Sequence, residues 1–204
     1  MARRNDHSRD ELRRMSLEAA EDILTREGAH ALSVRRIAQS IGYSHGTLYL
    51  VFRNLDGLLL ELNARTLDDL AAALEHAAGT QPDARARLDA LAGAYLRFAR
   101  EHSARWRLVF EHRLPGGEAV PEVLAQRIAR GYRTLHDALA DAGAAARDRA
   151  ELGAALWAAI HGVCVLALDS KLVDAAGAKL DPVPVLARTV AAFCALIEHG
   201  PPQH

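Results

Sequence analysis

Between Ser33 and Phe52 the chain sets arginine, serine, histidine, threonine and tyrosine among apolar residues at helical spacing. Side chains of these types hydrogen-bond to base edges and phosphate oxygens, and two short helices would carry them there. Ser33 can cap the first, expected over 34–40, because its hydroxyl can accept from backbone N–H groups two or three residues on. Ile37, Ala38 and Ile41 share one face, and Ala38 is small enough for a second helix to cross closely. Gly42 supplies the turn by taking a left-handed conformation. Ser44 then caps a second helix that carries Leu48, Val51 and Phe52 inward and keeps His45, Gly46, Thr47 and Tyr49 outward. Two helices so joined lay the second into the DNA major groove. An ordinary helical hairpin shares the periodicity; small Ala38, Gly42 and Leu48, together with the polar outer face, favour the DNA-reading arrangement.

The elements that must position this motif are also helical. Half of the 204 residues are hydrophobic but only 5% are aromatic, and alanine and leucine outweigh the β-branched residues, so an all-α protein is expected. The net charge is −1, so bulk electrostatics do not announce a nucleic-acid partner. Residues 1–53 hold nine arginines against seven acids, with Arg3, Arg4, Arg9, Arg13 and Arg14 near the start, where they could follow a phosphate backbone.

Several function classes find no support. There is no His-x3-His pair, glycine-rich phosphate loop or Gly-x-Ser-x-Gly elbow, so no metal, no cofactor and no enzymatic activity are expected. Cys164 and Cys194 lie in apolar helical contexts and read as reduced core residues. No unbroken run reaches the roughly 18 apolar residues of a membrane span, and no apolar stretch follows the N-terminal charges, so a cytoplasmic protein is expected.

A bracing helix is predicted over 8–27, with Leu12, Met15, Ala19, Ala20, Ile23 and Leu24 as its apolar stripe and Gly28 as its end. Asn54 can cap a long connecting helix over 54–76. Asp83 caps another to 101, a shorter one covers 103–112, and Leu114-Pro-Gly-Gly is a loop. A helix over 120–140 is expected to turn Leu124, Ile128, Tyr132, Leu135 and Leu139 inward, with Gly143 closing it. The last two helices, over 148–172 and 182–198, are apolar beyond a single stripe, so a second copy of the chain is expected to cover them in a four-helix bundle. The boundaries read from this order are 1–53 for a helix-turn-helix domain and 54–204 for a larger helical domain.

This order resembles the TetR family of bacterial transcriptional regulators. The likeness is carried by Ile37-Ala38, Ile41-Gly42, Ser44, Gly46-Thr47-Leu48-Tyr49, Phe52, Asn54 and Leu58. It implies DNA contacts from Arg35, Arg36, Ser44, His45, Gly46, Thr47 and Tyr49. Arg35, His45 and Thr47 suit base edges, while Ser44 and Tyr49 suit phosphates. Where family members often carry an aromatic, a histidine and a lysine after the tyrosine, this chain has Leu50, Val51 and Leu55. Arg53 can replace one lost phosphate contact, but a shallower salt dependence is expected.

Trp157, His161 and Gly162 resemble one branch of the family, marked by Trp, His and Gly in the penultimate helix, and the segment from Trp106 to Phe110 fits the same type. The resemblance implies a homodimer through the last two helices, a double-stranded pseudo-palindromic operator, and a small apolar effector bound in the C-terminal half. Tyr95, Phe98, Trp106, Phe110, Tyr132, His136, Trp157 and His161 are the candidate pocket residues, although aromatics at helical spacing fill a core as readily as they line a cavity. Repression is implied by the resemblance alone. A helical small-molecule binding or scaffolding protein with weak or lost DNA affinity is the alternative.

Overall fold

Short side chains start the helices of this protein. In a computed structural model, which describes residues 7–113 and 121–199, Ser8 opens α1 (Arg9–Glu27) with a capping box: its hydroxyl accepts from the Glu11 N–H, and the Glu11 carboxylate accepts from the Ser8 N–H at 2.6 Å. That backbone hydrogen bond, and then the hydroxyl, lower the pKa of Glu11. Ser33 and Ser44 cap α2 (Val34–Ser40) and α3 (His45–Val51). The Asn54 side chain accepts from the Gly57 N–H at the start of α4 (Leu55–Gly79), and Asp83 caps α5 (Ala84–Glu101). α6 (Ser103–Glu111), α7 (Glu122–Asp141), α8 (Arg149–Leu168) and α9 (Pro182–His199) follow. Among the described residues there is no strand, only an isolated bridge between Val173 and Lys179. The expected loop at Leu114-Pro-Gly-Gly lies outside the described residues.

Two compact units form. The first takes in the chain through Leu67 together with Ala104–Leu124, so it reaches past the boundary read at residue 53. Its core explains why: Leu58, Leu59 and Leu62 of α4 and Leu108 of α6 are buried with Leu12, Leu24, Ile37, Ala38, Leu48 and Phe52. Each large apolar side chain so buried contributes about 1.5–3 kcal/mol. α1 braces both α2 and α3, as its apolar stripe predicted. Polar ties supplement this core. Arg13 of α1 pairs with Glu61 of α4 at 2.8 Å, and Arg105 of α6 with Glu21 of α1 at 3.2 Å. His112 meets Asp56 at 3.1 Å and the amide of buried Asn63 at 3.4 Å, tying the chain just beyond α6 to α4.

The second unit comprises Asp68–Ser103 and the chain from Ala125 onward. α8 packs on α9 and both pack on α5, burying Leu88, Ala99, Leu156, Ile160, Cys164 and Val190. Arg127 of α7 reaches Asp68 at 2.9 Å and Arg130 reaches Glu75 at 2.6 Å, an ionic ladder along α4. Both cysteines are free and buried, and burial pushes the Cys164 thiol up to about 12, which leaves it an unreactive core group at neutral pH.

Two sequence expectations need correction here. α8 stops at Leu168 rather than 172: Ser170 takes a positive φ of 55°, and the N–H groups of Lys171 and Leu172 turn back to the Leu166 carbonyl. Asp174 then accepts from the N–H groups of Ala176 and Ala178, and these local bonds replace the last helical turn. Ile128, expected inward, is exposed on α7. By length and average composition alone, α8 and α9 are also apolar enough to cross a membrane, with 22% and 17% of their apolar windows buried. Averaging over alanine-rich stretches reaches that level although neither helix holds an unbroken run of 18 apolar residues.

Candidate nucleic-acid interface and aromatic cluster

The geometry of the motif follows from its local hydrogen bonds. The Ser33 hydroxyl accepts from the Arg36 N–H at 3.2 Å, starting α2. At the other end Gly42 adopts φ 77°, and the Tyr43 N–H returns to the Ala38 carbonyl at 2.9 Å. This closes the turn without using a side chain, and a residue with a Cβ would be strained there. The Ser44 hydroxyl accepts from the Thr47 N–H at 3.3 Å and lies 3.0 Å from the Thr47 hydroxyl. α3 thus starts on a fixed vector, with Leu48 and Val51 in the core and Phe52 buried just beyond its end.

His45, Gly46 and Tyr49 are exposed on α3, as the periodicity predicts, while Thr47 is half-buried. The His45 and Tyr49 rings meet edge-on with centroids 6.5 Å apart. Arg35 and Arg53 are exposed and form no ion pair among the described residues. Arg36 is placed differently: its guanidinium holds both carboxylate oxygens of Glu27 on α1, at 2.5 and 2.6 Å. Much of its charge is therefore already compensated within the protein. Nine residues separate the two in sequence, a spacing no single helix brings together, so nothing in the sequence pattern announces the pair.

Two further groups at the motif escaped the sequence reading as site residues. His7 Nδ1 lies 2.6 Å from the Tyr43 hydroxyl, pinning the start of the described chain to the turn. Leu50 projects from α3 with 70% of its surface exposed. Arg13 and Arg14, expected to be available near the N-terminus, are instead paired along the helices, with Glu61 and with Glu18.

The second unit gathers six of the candidate pocket residues. The Tyr95 hydroxyl lies 2.9 Å from Nδ1 of His161, which stacks on Trp157 at 5.1 Å. Trp157 packs against Tyr132 at 6.1 Å, and Tyr132 against His136 at 5.7 Å, so a row of rings joins α5, α8 and α7. Phe98 lies against His102 at 4.7 Å instead of joining this row. Trp106 and Phe110 belong to the first unit, where their rings are 5.2 Å apart.

Burial alone lowers the His161 imidazole below the usual histidine range and raises the Tyr132 phenol above its own. The unfolded chain takes up a proton near pH 6.5 while folded His161 resists it, so this contribution to stability is present above about pH 6.5 and lost as pH falls below it. Urea midpoints measured from pH 8 to pH 5 should therefore decline at the acidic end, and less steeply in His161→Gln.

His136 meets a tight wall. A Cβ added to Gly153 would lie 2.7 Å from His136 Nε2 and 2.8 Å from its Cδ2, so glycine is what admits the imidazole against α8. Gly153→Ala should cost about 1–3 kcal/mol by urea unfolding. The double variant with His136→Ala, which removes the obstructing ring, should recover much of that loss.

The arrangement presents a capped, braced helix with an outward polar and aromatic face, and no His/Cys/Asp/Glu group among the described residues that could hold a metal. Comparison with known proteins agrees. The model for bacterial regulatory proteins of the tetR family matches residues 17–62, and the Tetracyclin repressor-like C-terminal domain matches residues 88–193, just over half of the chain. Over 110 residues, 54% of this chain and 50% of the relative, the sequence is 34% identical to the HTH-type transcriptional activator FasR of Mycolicibacterium smegmatis. The chain thus spans about half the length of that curated relative. A solved protein of unknown function from Rhodococcus sp. RHA1 is 28% identical with a TM-score of 0.75, covering 95% of this chain and 98% of that one. A TetR family transcription regulator from Marinobacter aquaeolei VT8 shares the fold at 21% identity and a TM-score of 0.66, covering 90% and 95%. With family models matching both the capped two-helix motif and the helical segment that follows it in the chain, the chain belongs to the TetR family of bacterial regulatory proteins.

Proposed function

We propose that this protein is a cytoplasmic, ligand-responsive transcriptional regulator that binds a pseudo-palindromic operator as a homodimer. It is not an enzyme. The observation that carries the reading is α3 itself: a helix held by its cap and core with His45, Gly46 and Tyr49 turned to solvent, in a motif whose Arg35 is also exposed. Arg35, His45 and Thr47 address base edges, and Ser44, Tyr49 and Arg53 address phosphates. Gly46 lets the helix backbone approach, and Arg36 contributes less because Glu27 holds it.

The dimer is supported by α8 and α9. Leu166, Val183 and Leu196 are exposed on them, an apolar surface that a second copy would cover, giving a four-helix bundle. Half-sites spaced one DNA turn, about 34 Å, would match one separation of the two recognition helices. We assign effector binding to the ring cluster of Tyr95, Tyr132, Trp157 and His161, whose apolar surroundings suit a small apolar molecule. His136 continues the row beyond Tyr132, whereas Phe98 packs on His102, and Trp106 and Phe110 lie in the first unit. Trp157, His161 and Gly162 support placement in the Trp-His-Gly branch. The effector acts by changing the separation of the two α3 helices, with α4 as the connector.

Repression is the reading we adopt, with the effector releasing the operator. The relative named as an activator favours the opposite sign over the matched stretch. A salt-titrated binding assay on DNA flanking the protein's own gene tests the core of the proposal. Sequence-preferring binding with a modest salt slope is expected, and binding indifferent to sequence overturns it. In vitro transcription from the bound promoter then decides the sign.

A further inference from the structure

On a helix of about 100° per residue, Gly46 lies opposite the midpoint of buried Leu48 and Val51, and Tyr49 and Leu50 lie about 50° to either side of it. Gly46 and Leu50 form a line one turn long, about 40° apart around the axis. The outer surface of α3 therefore carries a gap flanked by an aromatic and a branched apolar side chain. Leu50 is 70% exposed and Tyr49 52%, and Leu50 is the most exposed large hydrophobic side chain among the described residues. Burying a leucine is worth about 1.5–3 kcal/mol, and the free protein leaves most of that unrealised at this position.

Gly46 gives a second, independent sign of a close partner. Its φ is not in the left-handed region, and a Cβ there would meet only the Ser44 hydroxyl at 3.7 Å, an ordinary contact. Neither backbone conformation nor internal packing requires glycine. The space it leaves opens outward, one turn before Leu50.

Hydrogen-bonding groups line the major-groove edges of the bases, and the apolar feature there is the C5 methyl of thymine. We infer that Leu50 reads a thymine in each operator half-site by packing against that methyl group, so that the Gly46–Leu50 line confers specificity without a hydrogen bond. The inference rests on the DNA-reading function proposed above. Leu50 is thus a specificity residue where the likeness to relatives showed only a missing phosphate contact.

Operator selection from randomised duplexes, followed by replacement of each thymine by deoxyuridine, tests it. The replacement removes only the methyl and keeps every hydrogen bond of the base. By the value of one buried carbon, the wild-type protein should lose about fourfold in affinity at one thymine per half-site, and about fifteenfold when both half-sites are changed. Leu50→Ala should bind the thymine operator more weakly and be indifferent to deoxyuridine at that position. Circular dichroism should show its helix content unchanged, since the side chain is exposed. A scan in which no thymine responds, or in which Leu50→Ala responds as the wild type does, overturns the assignment while leaving sequence-specific binding intact. Failure to select any operator overturns the DNA-reading function and this assignment together.

Discussion

Arg35→Ala is expected to weaken operator binding about ten- to hundredfold and to relax the base preference at one position of each half-site. The physical reason is that an arginine reaching a guanine edge makes two parallel hydrogen bonds, worth about 1–3 kcal/mol of discrimination. Arg36→Ala, one residue on, should do much less. Its guanidinium is already bound to both oxygens of Glu27, so removing it forfeits a brace between α2 and α1 more than a free positive charge. Fluorescence anisotropy with the selected operator and with single-base variants separates the two. Arg35→Ala flattens the base preference, whereas Arg36→Ala leaves it in place with a small, uniform loss. Equal losses of preference for both substitutions would contradict the geometry of the motif.

Charging the exposed apolar face of α8 and α9 should have an effect as large by a different route. Leu166→Asp combined with Val183→Asp places two carboxylates where the proposed partner's apolar surface would lie, and the symmetry of a two-fold interface doubles each insult. Sedimentation should then report a monomer for the variant and a dimer for the wild type. Helix content should persist, because neither side chain is buried within one copy. Operator affinity should fall by about a hundredfold or more, since the second half-site no longer benefits from the effective concentration that pairing supplies. A variant that remains dimeric would place the interface elsewhere on the molecule.

The helix starts were largely legible because their causes are local. Ser8, Ser33, Ser44 and Asp83 each accept from a backbone N–H three residues on, and Gly42 takes its positive φ within a single turn. The inward positions of α1 to α3 followed from periodicity, which registers one buried face well. The same rule failed for Ile128, where an apolar side chain sits at helical spacing yet faces out. It also could not divide the candidate pocket aromatics between units: Trp106 and Phe110 share the aromatic character of Tyr132 and Trp157 but belong to the other unit.

What the amino-acid sequence determined by itself was the all-helical architecture, the capped two-helix motif and the excess apolar surface of the last two helices, because each arises from hydrogen bonds and periodicity within a few residues. Only the tertiary structure decided that Arg36 spends its charge on Glu27 while Arg35 does not, that Gly153 makes room for His136, and that α4 contributes to two separate units. These depend on how helices far apart in the chain cross, and a crossing brings together residues at separations that no single-helix repeat encodes.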